Sequence, residues 1–379
     1  MKRIRILFTI PNFDTAGSGR ALLNIALALD ENRFESHILC SHDRGDFFQV
    51  VKNSGIPVHV FEYIPDERPI YQLLMNCYKV SRKIKKIKPD IVHSFHYAAS
   101  YDEALAARLS GAKWVFTKKN MSWGGGSKNA WKVRSLLANK IAVQNTDMQK
   151  EFYPRSKKTV LIPRGVVLDK FKASRSIPQI REQMMTKENE RVLICVANFV
   201  PVKGIETLIN AFVSIAHQFP DWVLWLVGDD KNEYGQLLHT LVANLNFDSK
   251  IKFSGKQMNV VDYLNHAEIF VLPTLNEGRK EGSPVAMLEA MANSKVVLGS
   301  RVPGIKDQLK EFPEHLFNPK DKVDLAEKLT KLMKKDSKEL KQLGLAFLRP
   351  VTENYSIEKE VERHEQLYLS CVKIINKCA

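Results

Sequence analysis

Two acidic residues stand eight positions apart where a loop meets a predicted helix. Glu281 lies in the loop, and Glu289 lies inside a helix that we expect over residues 285–293. Ser283 suits the N-cap and Pro284 the first helical position, where a missing N–H group loses no hydrogen bond. A ligand across this helix start could meet one carboxylate at each end, with its phosphates at the unpaired N–H groups. A sugar joined by a diphosphate to a ribonucleoside fits this layout.

Each half of the chain also has a strand that leads into a turn suited to phosphate. In the first half, Gly17, Ser18 and Gly19 would let backbone N–H groups approach an anion, although a simple turn explains this sequence as well. In the second half, Lys203 precedes a helix, where a cation opposes the helix dipole unless an anion joins it. The chain has no D-x-D sequence, so we expect lysine and backbone amides, without a metal, to meet the charge of a leaving diphosphate.

Polar residues follow the strands of the first half as well. His93 and His96 stand at the end of a predicted strand, but extended backbone does not aim both rings the same way, so metal binding is not expected. His96 is nearer the loop and is the better candidate for a site. The basic, glycine-rich loop 118–127 follows the next predicted strand. It could close over a substrate, or it could be an ordinary surface loop.

The net charge of +15 is concentrated in the first half, where residues 1–170 contain 28 Lys and Arg against 15 Asp and Glu. Such a field attracts nucleic acid, anionic lipid or an anionic substrate. A basic helix is predicted over 70–87. Its apolar stripe is expected to pack on a sheet, and its basic face would lie in water or against anionic headgroups. The apolar stripe consists of Ile70, Leu73, Leu74, Cys77, Ile84 and Ile87. Nucleic acid is not expected as a partner, because aromatic residues are not interleaved with this basic run.

The composition and the N-terminal residues indicate a cytoplasmic protein. Charge and proline interrupt the first apolar run before a secretory h-region could form, and no stretch is apolar enough to span a membrane. The five cysteines show no C-x-x-C spacing, so free thiols are expected.

Short apolar runs alternate with amphipathic segments, and this pattern restarts near residue 192. It predicts two doubly wound, Rossmann-like α/β domains that face a central cleft. We expect the first domain over 1–168 and the second over 169–354, with a final helix in 355–379 that packs back on the first domain.

Four segments, in order, resemble the family 4 glycosyltransferases, which are retaining enzymes of the GT-B fold. Residues 162–166 are similar to the family's I-P-N-G-V linker, and 196–204 to its V-G-R-L-x-x-x-K-G segment. Residues 270–274 resemble the strand that precedes the E-x7-E motif, and 281–292 resemble that motif itself. The resemblance covers nearly the whole chain.

The resemblance implies a retaining hexosyl- or N-acetylhexosaminyltransferase that uses a UDP-sugar or GDP-sugar donor without a metal or other cofactor. It implies that Glu289 binds the ribose and that Glu281 binds the donor sugar. Lys203 and the turn Gly17-Ser18-Gly19 would hold the diphosphate, with the amides of Gly282 and Ser283 beside the sugar. The acceptor, a glycan or a lipid-linked glycan, would bind the first domain. Such enzymes build polysaccharide or lipopolysaccharide, so we expect the protein to be peripheral on the inner face of the membrane.

Two positions depart from the family pattern. Asn198 stands where the family has an arginine that contacts phosphate, and Lys119 stands near a histidine that often follows the fifth strand. Either Lys119 or His96 could take the role of that histidine on the acceptor side, or the acceptor side works differently. A nucleotide-sugar epimerase of the same two-domain plan, or a non-catalytic nucleotide-sugar binder, are the alternatives.

Overall fold

The computed structural model describes residues 2–14, 16–64, 69–123, 127–172, 177–278 and 281–372. They form two compact units, one containing the residues up to 163 and those from 357 onward, and the other containing 164–356. The segment after Pro163 belongs to the second unit, where the Val166 N–H group donates to the Tyr355 carbonyl at 2.9 Å. Within the described ranges, every helix is too short or too polar to cross a bilayer.

The amino-terminal unit is built on a parallel sheet covered by helices. Its strands are β1 (Ile4–Thr9), β2 (Phe34–Cys40), β3 (Val58–Val60), β4 (Ile91–Ser94), β5 (Lys113–Lys118), β6 (Lys140–Val143) and β7 (Thr159–Leu161). Its first helices are α1 (Ala16–Ala28), α2 (Asp46–Lys52), α3 (Ile70–Ile87), α4 (Asp102–Leu109), α5 (Lys128–Leu137) and α6 (Thr146–Phe152). The strand order is β3-β2-β1-β4-β5-β6-β7, so the order reverses between β1 and β4.

The carboxy-terminal unit repeats this plan. Its strands are β8 (Arg191–Val196), β9 (Trp222–Val227), β10 (Ile251–Phe253), β11 (Ile269–Leu272), β12 (Val296–Ser300) and β13 (Leu316–Phe317). Its helices are α7 (Asp169–Lys172), α8 (Pro178–Gln183), α9 (Ile205–Ile215), α10 (Glu233–Asn244), α11 (Val260–His266), α12 (Val285–Ala292), α13 (Ile305–Gln308), α14 (Lys322–Met333) and α15 (Ser337–Asn354). The order is β10-β9-β8-β11-β12-β13, and all described pairs in both sheets are parallel.

The prediction of two doubly wound parallel α/β domains is confirmed. Parallel strands are buried on both faces, so they read as almost continuous apolar runs, and β9 is buried along its whole length. The short strand β13 was not predicted, because two residues leave no readable pattern.

A final helix, α16 (Ile357–Cys371), belongs to the amino-terminal unit and packs against α1. Its Tyr368 hydroxyl lies 2.7 Å from Nδ1 of His93, and Nε2 of the same ring lies 2.8 Å from the Thr117 hydroxyl. His93 is fully buried, and this burial, followed by the charge of nearby His364, lowers its pKa well below the ordinary value. His93 therefore joins β4, β5 and α16 inside the core.

Helix α3 has the predicted bounds, and Leu73, Cys77, Ile84 and Ile87 are buried as predicted, but the predicted burial of Ile70 and Leu74 is wrong. Ile70 and Leu74 are 65% and 51% exposed. The helix turns by about 100° per residue, so Leu74 points well away from Leu73 and from the core. The buried side consists of Leu73, Cys77, Val80, Ser81, Ile84 and Ile87.

Candidate functional site

The strand order of the carboxy-terminal unit reverses between β8 and β11. These two strands pair directly, and the loops that follow them leave the same edge of the sheet. In open α/β sheets, ligands bind beyond the carboxyl ends of the strands at such a reversal. The loop after β8 carries Lys203, and the loop after β11 carries Glu281. The topology thus brings together two predicted site residues that are far apart in sequence.

The turn that carries Lys203 is fixed to the loop after β11. Gly204 follows Lys203 with φ of 59°, a left-handed conformation that favours glycine. A Cβ atom on Gly204 would lie 2.5 Å from the Pro273 carbonyl oxygen, so a side chain would also clash there. The Leu275 N–H group donates to the Val202 carbonyl at 2.7 Å. Lys203 is therefore held by backbone contacts rather than by a flexible loop.

Lys203 and Glu281 form a direct ion pair through Nζ and Oε1. Both side chains are largely buried, with 18% and 15% of their surface exposed. The ammonium and the carboxylate are thus in contact beyond the carboxyl ends of β8 and β11. Burial raises the pKa of the nearby Cys195 thiol to about 12, although Lys203 acts against this, so Cys195 stays a neutral core residue.

The helix start differs by one residue from the prediction. Pro284, not Ser283, is the N-cap of α12, and no side chain caps the helix. The Ser283 hydroxyl oxygen instead accepts hydrogen bonds from the Arg164 N–H group at 3.3 Å and from Nε2 of Gln308 at 3.2 Å. The prediction of Ser283 as the cap was wrong because these partners come from distant segments of the chain.

The remaining predicted residues of this unit lie on the same elements. Gly282 is buried directly before Ser283, and Glu289 is half-buried in the second turn of α12. Asn198 is exposed, shortly after β8. Sequence reasoning missed Gly304, which follows β12: its φ is 79°, and a Cβ atom there would lie 2.5 Å from the Gly282 carbonyl oxygen. The Pro-Gly turn after a strand was the available signal for this close approach.

Three predicted residues of the amino-terminal unit lie at the carboxyl edge of its sheet. Ser18 follows β1, His96 follows β4 and Lys119 follows β5, and these strands are neighbours. Lys119 Nζ donates to the Ser18 hydroxyl oxygen at 3.1 Å. The structure therefore brings the small-residue segment and the basic loop into contact.

The segment Gly17-Ser18-Gly19 lies in the first turn of α1, not in a turn before the helix as predicted. A Cβ atom on Gly19 would lie 2.7 Å from the ring of Phe13, whereas one on Gly17 would meet nothing within 4 Å. Packing against Phe13 thus explains Gly19. Gly17 and Ser18 are then the small residues that could let a ligand approach the first turn of α1.

His96 stands beside a buried charge cluster that sequence reasoning missed. His96 Nδ1 lies 3.8 Å from Oε2 of Glu103, which is an ion-pair distance rather than a hydrogen bond. Glu103 accepts from the hydroxyls of Thr9 and Ser94, and its Oε2 is 3.4 Å from Arg134 Nη2. Nothing in the sequence signals this cluster, because its members come from separate strands and helices.

Arg134 ties the cluster to the loop that carries His96. Its guanidinium donates to the carbonyls of Ser100 and His96, each at 3.0 Å. Burial lowers the pKa of Arg134, and the Glu103 carboxylate opposes that effect. Burial alone would raise the pKa of Glu103, but the neighbouring His96 and Arg134 outweigh it and the pKa lies below the usual value. Glu103 is therefore a buried carboxylate that can orient the His96 ring.

Among the described residues, no group of three or more His, Cys, Asp or Glu side chains is placed to hold a metal ion. The described cysteines Cys40, Cys77, Cys195 and Cys371 are free. Cys378 lies outside the described residues.

Two family models match consecutive parts of the chain. The model described as Glycosyltransferase Family 4 matches residues 15–170, and the model described as Glycosyl transferases group 1 matches 176–345. Together they include every predicted site residue.

Individual proteins of known or assigned activity are also similar. The N-acetyl-alpha-D-glucosaminyl L-malate synthase of Bacillus anthracis is 30% identical over 200 residues, which are 52% of this chain and 50% of that protein. The UDP-Gal:alpha-D-GlcNAc-diphosphoundecaprenol alpha-1,3-galactosyltransferase of Escherichia coli is 27% identical over 80% of each chain. The crystal structure of Anabaena HepE in complex with UDP and glucose matches with a TM-score of 0.80 and 20% identity, over 96% of this chain and 99% of that one.

Proposed function

Since this chain belongs to the family 4 glycosyltransferases, we propose that it transfers a hexosyl or N-acetylhexosaminyl group from a UDP-sugar or GDP-sugar with retention of anomeric configuration. The acceptor is a glycan or a lipid-linked glycan, in the synthesis of a cell-surface polysaccharide or lipopolysaccharide. The E. coli relative, which acts on a diphosphoundecaprenol-linked sugar, supports this class of acceptor.

The observation that carries the proposal is the ion pair of Lys203 and Glu281 at the reversal of strand order, next to the start of α12. A donor diphosphate bound there competes with Glu281 for the Lys203 ammonium. Glu281 is then released to accept hydrogen bonds from the sugar hydroxyls, and the amides of Gly282 and Ser283 lie beside it. Glu289, one turn into α12, binds the ribose hydroxyls. The complex of HepE with UDP and glucose supports such a donor by analogy of fold.

The chemical step needs charge stabilisation more than a protein base. The bond between the anomeric carbon and the diphosphate oxygen breaks while the acceptor oxygen bonds to the same face of that carbon. The acceptor proton passes to a diphosphate oxygen, so the leaving group is the base. Lys203 stabilises the charge on the leaving diphosphate. Asn198 replaces the arginine of the family pattern, so Lys203 has a larger share of this role.

The amino-terminal unit binds the acceptor in this proposal. His96 is held near Glu103 and can hydrogen-bond an acceptor hydroxyl. Lys119 contacts Ser18 at the start of α1 and adds a positive charge beside the small-residue segment. We place the enzyme at the inner face of the membrane, where lipid-linked acceptors lie, and the basic amino-terminal half favours this location.

A thermal-shift screen against UDP-, GDP- and ADP-sugars identifies the donor, because a ligand that binds only the folded state raises the melting temperature. We expect stabilisation by one UDP- or GDP-sugar in EDTA, and the same stabilisation in magnesium. NMR of that donor with an acceptor extract should then show a new glycosidic bond with the donor's anomeric configuration. Conversion of the donor without acceptor would indicate an epimerase, and tight binding without turnover a non-catalytic binder; either result would overturn the proposal.

A further inference from the structure

The outward side of α3 is apolar in its first half. Four of its side chains there are more than half exposed, namely Tyr71, Leu74, Met75 and Tyr78, and Ile70 is exposed beside them as the first residue of the helix. They lie within nine consecutive residues of a single helix, so they form one continuous patch rather than scattered exposed residues. Patches of this kind on a soluble surface mark sites of interaction.

The same side of α3 becomes basic in its second half. Tyr71, Met75, Tyr78, Arg82 and Lys85 follow one another at alternating spacings of four and three residues, so they form one row along the helix. Lys79, Lys83 and Lys86 are exposed beside this row. One helix side therefore presents apolar and aromatic groups first and cations afterwards.

The other side of α3 is firmly held. Leu73, Cys77, Val80 and Ile84 are buried in the core of the amino-terminal unit. Burial raises the pKa of the Cys77 thiol to about 11, so this residue is a neutral core group. The exposed row is thus a fixed surface, and a partner can bind it without unfolding the helix.

We propose that this row is a docking surface for an anionic lipid bilayer. The apolar half inserts among the acyl chains at the membrane surface, and Arg82, Lys85 and Lys86 lie at the anionic headgroups. The aromatic rings of Tyr71 and Tyr78 suit the interface, where one end of a tyrosine is apolar and the other is wet. The role of this contact, to bring the enzyme to a lipid-linked acceptor, rests on the proposed function; the contact itself does not.

Charge decides between a bilayer and a second copy of the chain. Pairing of α3 with α3 would place Arg82, Lys85 and Lys86 against the same cations, or would bury them against the apolar half. Both arrangements are unfavourable, because unpaired charges lose their hydration. An anionic bilayer satisfies both halves of the row at once, and the excess of positive charge in residues 1–170 adds long-range attraction.

Vesicle flotation of the full chain tests this surface. The protein should float with vesicles that contain phosphatidylglycerol, and much less with pure phosphatidylcholine or at high salt. Each charge near the membrane surface should contribute about fivefold to binding, so neutralising two cations with Arg82→Gln and Lys85→Gln should weaken binding about 25-fold. Leu74→Glu should weaken binding about 10-fold or more.

Matched controls separate this surface from general charge and hydrophobicity. Leu237→Glu changes a leucine on α10 that is at least as exposed as Leu74, and Lys338→Gln with Lys341→Gln removes two exposed cations on α15. Both controls should bind vesicles like the wild type. No flotation of the wild type, equal losses in the controls, or a dimer in solution that Leu74→Glu dissociates would each overturn the inference.

Failure of this inference can be distinguished from failure of the proposed function. Donor-induced stabilisation and transfer to a short water-soluble acceptor do not need a bilayer. They should be unchanged in Leu74→Glu and in the Arg82 and Lys85 variant. Loss of vesicle binding with normal transfer locates the docking surface on α3, whereas vesicle binding without any transfer contradicts the enzyme assignment and leaves the surface intact.

Discussion

At the scale of single residues, the two acidic residues of the candidate site have different surroundings. Glu281 pairs with Lys203 in the loop before α12, whereas Glu289 belongs to the helix itself. A residue that contacts the reacting sugar affects the rate, while one that contacts only the distant ribose affects donor binding. In the proposed function Lys203 meets the charge that develops on the leaving group, so its substitution should also affect the rate.

Substitution of the two carboxylates should therefore give different kinetic defects. We expect Glu289→Ala to weaken donor binding about 10-fold with little change in kcat, and Glu281→Ala to lower kcat about 100-fold with little change in donor affinity. Calorimetric titration of the donor and steady-state kinetics measure both quantities. Wild-type kinetics in both variants would remove the assignment.

Lys203→Ala should lower kcat/KM by about 100-fold or more, because one ammonium–phosphate interaction is lost in the transition state. Lys338→Ala on α15 is the control, since Lys338 is an exposed lysine outside the site. An equal effect in the two variants would show that general charge, rather than Lys203, supports transfer.

The buried pair of Glu103 and Arg134 should show strong coupling. Arg134→Met leaves a buried carboxylate without its cation, and we expect a loss of about 3–5 kcal/mol of stability. The double variant Glu103→Gln, Arg134→Met should lose much less than the sum of the two single variants. Urea unfolding, monitored by tryptophan fluorescence, measures the loss of unfolding free energy in each variant. Additive losses would contradict a direct interaction.

At the scale of elements, the loop after β5 is anchored by a buried lysine. Lys118 is fully buried, and its Nζ donates to the Ser122 carbonyl at 2.6 Å. The same ammonium lies 3.9 Å from the Phe152 ring centroid and 4.8 Å from that of Trp123. The rings of Tyr97 and Trp131 complete this aromatic cage. Lys118 thus holds the segment 119–123, from which Lys119 reaches Ser18.

The cage predicts a pH dependence of stability. Burial lowers the pKa of Lys118 to about 7, although Glu151 opposes this. The unfolded value is about 10.4, so between these two pH values the unfolded chain binds more protons and stability rises with pH. Compared with Lys118→Met, the wild type should gain about 2 kcal/mol between pH 6.5 and 8.5.

Urea unfolding at the two pH values measures this gain, with Lys132→Met on the exposed side of α5 as the control. Parallel pH profiles of the wild type and Lys118→Met would mean that Lys118 keeps an ordinary pKa. The contacts between the ammonium and the rings would then be strong enough to offset its burial.

At the scale of the whole molecule, the amino-terminal unit is completed by the end of the chain. The Asp30 N–H group donates to Glu365 of α16 at 3.0 Å, and Tyr368 packs against Phe8 and Phe34. The unit made of 164–356 has its own core of buried residues. The two units therefore differ in their dependence on α16.

Removal of residues 357–379 should abolish the cooperative unfolding of the amino-terminal unit and leave that of 164–356 in place. Tyr368→Phe keeps the packing and loses only the hydrogen bond to His93, so it should cost about 1 kcal/mol. Scanning calorimetry of the three proteins measures both effects. Unchanged unfolding of the shortened chain would show that α16 is dispensable.

The sequence by itself determined the alternation of strands and helices, because parallel strands need continuous apolar runs and surface helices need an apolar stripe. It also predicted Lys203, Glu281 and Glu289 as site residues, since their order along the chain follows a family pattern. Only the tertiary structure decided which distant groups meet: Lys203 with Glu281, Ser283 with Arg164 and Gln308, and His96 with Glu103 and Arg134. It also decided that Ile70 and Leu74 are exposed to solvent. Periodicity along one helix shows which residues share a side, but the packing of the other elements determines which side is covered.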